Sequence, residues 1–434
     1  MKNIEVILND IKRKFESRKF LKSILLISGG TTLAQGLNIL FSPIITRIYL
    51  PEEYGLMSIL TSVLMILSFP SLMYEMAIPI PKKDEEAINV TMLSFNILII
   101  FVILLTITLY LSGSWILDFF NARKLAPYKY YISVGVFMIG LYNILIHWMY
   151  RRKNFLLISK TQLGQSITGN ITKIGLGYLG LGVSGLLIGA IVKQSAGIIS
   201  LAKDLITKER YLFTNINLNN MFWSMKKYRN FPIYQTPTMI FLRIKNNLPI
   251  LSLTFYGAQT VGWYSFANTI VKLPMMLVGH SVTKAFYAEA ASIGKENPRK
   301  LLSLSNKLFK TMAILGLLPL LILAIWGPHI VSVIFGQNWY DSGVFIRILT
   351  ISIYADFIFS PASRVYEVIE RQKGKMIIDF VALILIIIVF VITRYLNTSS
   401  YIAIFLYSIS MAMTHLVTFT YANRFLKKEV DKIR

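Results

Sequence analysis

Runs of about twenty mostly apolar residues recur along the whole chain, and twelve can be counted, at residues 21–45, 54–74, 87–111, 130–149, 155–179, 183–202, 231–255, 261–282, 304–326, 344–365, 376–393 and 401–422. A helix rises 1.5 Å per residue, so about 20 residues cross a hydrocarbon core about 30 Å thick. Such runs cannot all be buried in one soluble core. They predict an all-α integral membrane protein of about twelve transmembrane helices. Composition agrees: 55% of the 434 residues are hydrophobic and 15% charged, against about 25% charged in a soluble domain.

The basic residues give the orientation. With the N-terminus placed inside, 31 of the 45 Lys and Arg fall on inside segments, five on outside segments and nine within helices. Inside loops carry an excess of Lys and Arg, and one missed helix would invert every later loop. The count of twelve and the cytoplasmic placement of both termini therefore support each other. The net charge of +24 reads as topology signal and anionic-lipid contact rather than as a nucleic-acid surface. Ile4, Ile7, Leu8, Ile11 and Phe15 repeat at helical spacing beside Lys12, Arg13, Lys14, Arg18 and Lys19, which predicts an in-plane interfacial helix. No cleaved leader is read before residue 21.

The longest inside loop, about residues 203–230, divides the chain. The expected organisation is a basic N-terminal segment (1–20), a six-helix bundle (21–205), a cytoplasmic linker (206–230), a second six-helix bundle (231–423) and a basic tail (424–434). Tyr54-Gly-Leu-Met-Ser58 is echoed by Val261-Gly-Trp-Tyr-Ser265, and Arg151-Arg-Lys153 by Arg371-Gln-Lys373. Two halves with even helix counts share one orientation, which implies a pseudo-twofold along the membrane normal.

No catalytic constellation is evident. There is no cysteine, which excludes disulfides and thiolate chemistry. The four histidines, His147, His280, His329 and His415, are dispersed and read as packing or interfacial residues rather than metal ligands. No cofactor is expected. Gly175, Gly177 and Gly180 spell a nucleotide-binding fingerprint, but they fall at a turn between two spans, and Gly185 with Gly189 adds a small-residue packing face.

Charges inside the spans are more informative, because each needs a wet cavity or a partner. The basic ones are Lys160, Lys173, Lys193, Arg243, Lys245, Lys272, Lys307, Lys310 and Arg347. The acidic ones are Glu75, Asp356 and Asp379. A mostly positive interior suits an anionic substrate, phosphate or pyrophosphate above all. Helix breakers cluster in helix one (Gly29-Gly30, Pro43) and its counterpart, helix seven (Pro232, Pro237, Pro249), with further prolines at Pro274, Pro319 and Pro361. Interrupted helices at matching positions mark a site or hinge in transporters.

Several stretches resemble a known family. Thr46-Arg-Ile-Tyr-Leu-Pro-Glu-Glu-Tyr-Gly55 resembles the turn after helix one of bacterial polysaccharide (O-antigen and capsule type) flippases, in the superfamily that also holds multidrug/toxin extruders and the lipid II flippase. Tyr228-Arg-Asn-Phe-Pro232 resembles the start of helix seven, and Val261-Gly-Trp-Tyr-Ser265 with Lys272 and Pro274 resembles helix eight. Phe335-Gly-Gln-Asn-Trp-Tyr340 with Gly343 resembles the turn before helix ten. The resemblance implies a transporter rather than an enzyme, in the bacterial plasma membrane. It would move an undecaprenyl-pyrophosphate-linked oligosaccharide by alternating access. Its partners would be that substrate, membrane lipids and a polysaccharide polymerase, and no nucleic acid. By position Arg47, Lys193, Arg243, Lys245 and Lys272 are the substrate-binding candidates and Asp356 the candidate for ion coupling. The competing readings are a membrane-embedded polymerase or ligase of the same pathway, disfavoured by short outside loops, and a cation-coupled drug antiporter, disfavoured by scarce carboxylates.

Overall fold

The computed structural model describes residues 29–273 and 279–433. The in-plane helix expected near residues 4–15, and Pro274, lie outside them. Among the described residues the chain is helical, with short 3₁₀ and π turns and no strand. Helix α1 (29–48) is followed by α2 (Pro51–Ile66), α3 (Asp84–Phe119), α4 (Tyr130–Arg151), α5 (Phe155–Tyr178), α6 (Gly182–Ser195), α7 (Ile198–Lys208) and α8 (Leu218–Lys227). Then come α9 (Thr236–Leu253), α10 (Ala258–Val271), α11 (His280–Ile293), α12 (Pro298–Phe335), α13 (Tyr340–Phe359), the single turn α14 (Val365–Val368), α15 (Gln372–Tyr395) and α16 (Ser400–Ile433).

Each expected span overlaps a helix among the described residues, and the layout fits twelve membrane crossings in two bundles. Seven stretches of the described residues are long and apolar enough to cross a membrane: α3, α4, α6 with α7, α12, α13 with its preceding turn, α15 and α16. The remaining spans, α1, α2, α5, α9 and α10, are short, polar or charged. Helices α1, α5, α9 and α10 with its C-cap carry Asn38, Lys160, Lys173, Arg243, Lys245 and Lys272, so these four cannot face lipid on all sides.

Two local expectations are corrected. Helix two does not reach residue 74; it stops at Ile66. Pro70 follows closely, and Leu72 and Met73 both take positive φ, 51° and 62°, a conformation that non-glycine residues adopt at a cost of about 1–3 kcal/mol. Glu75 therefore lies in a buried 3₁₀ turn (Tyr74–Ala77), not in the helix. Its carboxylate accepts from the Ser71 hydroxyl. Helix six is also interrupted: Gly197, at φ 92°, separates α6 from α7 where any Cβ would meet the Thr161 side chain.

The chain forms two compact units. One holds the residues up to Tyr49 with Ile59–Asn247, the other Leu50–Ser58 with Leu248–Arg434. The division falls inside α9 beside Pro249, which has no N–H to offer the Lys245 carbonyl one turn earlier.

In the first unit the 203–230 connection is folded, not slack. Met221 and Ser224 of α8 are buried, Tyr74 Oη donates to the Met225 carbonyl at 3.0 Å, and Asn89 Nδ2 donates to the Asn215 carbonyl at 3.0 Å. These residues join a core around Trp148, Ile88, Val90 and Leu98. The Arg-Arg run ending α4 is tied down as well. Arg151 binds Asp84 and the Pro81 carbonyl, and Arg152 bridges Asp84 and Glu209 at 3.0 and 2.6 Å. The glycines of the apparent nucleotide fingerprint make room for a tyrosine. Gly177 and Gly185 both face Tyr49, whose hydroxyl donates to the Lys173 carbonyl at 2.6 Å.

In the second unit an aromatic cluster of Tyr54, Phe266, Phe335 and Trp339 has ring centroids 4.8–6.1 Å apart. A second core gathers Phe286, Leu301, Val365, Tyr366 and Phe419. The start of α2 crosses α10 at two glycines, and the crossing is reciprocal. A Cβ on Gly55 would strike the Ala258 carbonyl, and one on Gly262 would strike the Pro51 carbonyl. Pro51 pairs with Gly262 as Ala258 pairs with Gly55, so a local twofold relates the two echoed sequences. Lipid offers helices no hydrophobic drive to associate, and close backbone approach over glycine supplies dispersion instead.

Gly55→Ala and Gly262→Ala should each lower stability by about 1–3 kcal/mol through overpacking, read as a drop in the thermal midpoint of the detergent-solubilised protein. The double variant should cost less than the sum, since both block one contact. Gly36→Ala, where nothing lies within 4 Å, should be neutral or stabilising.

Candidate functional site

A polar seam runs through the first unit. On α1, Thr31, Gln35 and Asn38 recur at helical spacing, and on α5 so do Gln162, Ser166 and Asn170. Thr31 Oγ1 donates to Gln162 Oε1 at 3.0 Å. Asn38 Oδ1 accepts from Asn170 Nδ2 at 2.8 Å and lies 3.0 Å from Ser166 Oγ, whose hydroxyl also reaches the Ala34 carbonyl at 2.8 Å. Lys193 of α6 joins from the third side, its Nζ 3.4 Å from Asn38 Oδ1. Sequence reasoning singled out Lys193 but missed this seam. Its signal was available, as polar residues at spacings of three and four on two apolar helices. Alongside, residues of α5, α6 and α7 including Lys160, Thr161, Thr168, Ser195 and Ser200 line a cleft of ≈ 590 Å³.

Arg243 of α9 is held by a helix end. Its Nη1 donates to the Met65 carbonyl at 2.7 Å, in the last turn of α2, a carbonyl that also accepts from the Ser68 hydroxyl at 2.6 Å. A cation at a helix C-terminus also meets the negative end of the macrodipole. The charge of Glu75 reaches Arg243 from the turn that follows α2. Lys245 is half-buried two residues on, a spacing that puts it on a different face from Arg243. Arg47 is exposed at the end of α1.

In the second unit Lys272, exposed just after α10, and Asp356 of α13 feel each other's charge. His415 of α16 places Nδ1 3.6 Å from Asp356 Oδ1, so this histidine is no mere packing residue. Tyr264 of α10 and Tyr407 of α16 meet nearby, ring centroids 6.4 Å apart. Arg347 of α13 has a structural role. Pro328 interrupts α12 and leaves the Ala324 carbonyl without its helical donor. Arg347 Nε donates to that carbonyl at 2.9 Å and Nη2 to the Ile325 carbonyl at 3.0 Å.

Of the six candidates, Arg47, Lys193, Arg243 and Lys245 fall in the first unit and Lys272 and Asp356 in the second. Lys193 and Arg243 have the defined polar partners described above. In the second unit the charge of Asp356 reaches Lys272.

A family model described as a polysaccharide biosynthesis protein matches residues 44–344. No curated protein sequence matches. Among solved structures the fold is similar to an inward-facing multidrug resistance MATE family transporter of the MOP superfamily (TM-score 0.69, 16% identity, covering 91% of this chain and 96% of that one). It is similar to the lipid II flippase MurJ in an inward closed conformation (TM-score 0.68, 16% identity, 93% and 87% covered). A third similar structure is a MOP superfamily transporter from Pyrococcus furiosus (TM-score 0.55, 16% identity, 94% and 96% covered). At these identities the likeness establishes the fold.

Arg347→Ala should unpair the Ala324 carbonyl and cost about 1–3 kcal/mol. In a Pro328→Ala background the restored N–H takes that carbonyl, so the same substitution should cost markedly less. Equal shifts of the thermal midpoint in both backgrounds would refute the pairing.

Proposed function

We propose that this chain, which belongs to the polysaccharide biosynthesis protein family, moves a lipid-linked oligosaccharide from the inner to the outer leaflet of a bacterial plasma membrane. The lipid is undecaprenyl pyrophosphate. Its charged head and sugars travel through the protein interior while the tail stays in lipid, and the two bundles give access to each side in turn. Both termini lie in the cytoplasm, as the Lys and Arg distribution requires.

One observation carries this reading beyond family and fold. Helices α5, α6 and α9 carry Lys160, Lys173, Lys193, Arg243 and Lys245 and no Asp or Glu. Cations held in hydrocarbon without matching carboxylates favour an anionic cargo. A drug-cation antiporter calls for the opposite balance, and a polymerase or ligase needs an external catalytic set that the short connections do not provide. Lys193, Arg243, Lys245 and Lys272, with Arg47 at the helix end, are the proposed substrate contacts. Asp356, with His415 beside it, is the proposed point of ion coupling.

In cells deprived of the protein, surface polymer should disappear while intact lipid-linked oligosaccharide accumulates, inaccessible to a reagent that labels only the outer leaflet. If the oligosaccharide reaches the outer leaflet and stays unpolymerised, the enzyme reading wins instead. In vesicles containing Asp356→Asn, transport should no longer respond to an imposed pH gradient; an undiminished response would remove Asp356 from coupling.

A further inference from the structure

Helices α5 and α6 carry the same four-residue spacing, Gly169-x-x-x-Lys173 and Gly189-x-x-x-Lys193, and run antiparallel through a turn at 179–181. The spacing is used reciprocally. A Cβ built on Gly169 would lie 2.5 Å from Lys193 Cβ, and one built on Gly189 would press into Lys173 Cγ and come within 3.1 Å of the Gly169 carbonyl oxygen. Each lysine stem thus crosses the bare glycine of the facing helix, at the point where the two backbones come nearest.

Helical side chains lean toward the N-terminus of their own helix. On antiparallel helices the two lysines lean toward each other. Lys173 starts nearer the α5–α6 turn and leans away from it, while Lys193 starts deeper and leans toward it. That lean directs the two stems toward one another, and the charge of Lys193 reaches Lys173. Lys193 is steadied by Asn38 Oδ1 at 3.4 Å. Among the described residues no carboxylate is paired with either lysine. Two like charges brought together at membrane depth repel, and an anion spanning both would relieve that cost.

We propose that Lys173 and Lys193 form a twin-ammonium site for a diphosphate group, one lysine to each phosphate. Asn38 is the positioning residue for Lys193. This deepens the transport reading and rests on it: the diphosphate is the head of the carried lipid, and Lys173 becomes a specificity-determining contact for pyrophosphate over monophosphate.

The test uses the full chain in nanodiscs of zwitterionic lipid. Equilibrium binding of inorganic pyrophosphate, undecaprenyl pyrophosphate and undecaprenyl monophosphate is compared across wild type, Lys173→Gln, Lys193→Gln, the double variant and Lys173→Arg. Each Gln variant should bind both pyrophosphates roughly tenfold or more weakly, the loss expected for one charge-assisted contact. The double variant should lose binding, and Lys173→Arg, which keeps the charge, should stay close to wild type. Monophosphate binding should fall less with either single loss. If the folded Gln variants bind pyrophosphate like wild type while the wild type still transports the lipid-linked oligosaccharide, the twin-lysine site is overturned and the transport reading stands. If inorganic pyrophosphate binds and the undecaprenyl form does not, the ligand is a free anion and the lipid-head assignment is overturned. If the wild type neither binds the lipid pyrophosphate nor transports it, both fall.

Discussion

Every backbone group released from a helix inside hydrocarbon must find a partner within the protein, and this constraint ties the charged residues of this chain to its broken helices. Pro328 frees a carbonyl of α12, and Arg347 supplies the missing donors from α13. Helix α2 ends at Ile66, and Arg243 of α9 joins the Ser68 hydroxyl on the Met65 carbonyl. Tyr49 places its hydroxyl on the Lys173 carbonyl. These contacts explain why arginine stands at positions 243 and 347. Its planar fork can satisfy carbonyls at fixed geometry, which an ammonium on a flexible stem does less well. Lys193 has a different character: its Nζ lies against the amide seam, 3.4 Å from Asn38 Oδ1.

Glycine sets how closely the helices approach, and so where those polar groups can meet. The Gly55–Gly262 crossing and the Gly169–Gly189 crossing are both reciprocal. The first brings together the two sequences that echo one another. That echo is a motif of the helix start in which each glycine accommodates a carbonyl of the facing helix, one turn before that helix's own glycine. In the second, the cleared space is filled by lysine stems instead of backbone. The same device therefore serves packing in one unit and charge placement in the other.

The spans are legible in the sequence because length and apolarity act over twenty residues at once, and the placement of Lys and Arg checks their number. The ends of helices are much less legible. Helix two continues apolar through Leu67, Phe69, Leu72 and Met73, so its break at Ile66 rests on Pro70 and on a buried carboxylate that no local pattern announces. His415 looks like any isolated histidine until α13 brings Asp356 to it. The amide seam is visible as spacing, yet only the packing of α1 on α5 gives it meaning. The partners of the candidate residues were not readable, because they come from helices far apart in sequence.

The division of labour among the intramembrane cations bears on what the protein can carry. A cation committed to a carbonyl has little freedom to bind and release cargo, since letting go would expose an unpaired backbone group at a cost of about 1–3 kcal/mol. Arg347 is so committed at the Ala324 carbonyl, whereas the Met65 carbonyl that Arg243 touches keeps the Ser68 hydroxyl as a donor. Lys193 holds only a 3.4 Å contact to an amide oxygen, a contact it can exchange for an anion without stranding the backbone. A transporter needs groups that bind strongly enough to draw a charged head out of water and weakly enough to release it. Lysines that lean toward one another beside an amide seam meet that requirement better than an arginine locked to a freed carbonyl, and the repulsion between the lysines raises the gain on binding a dianion over a single negative charge.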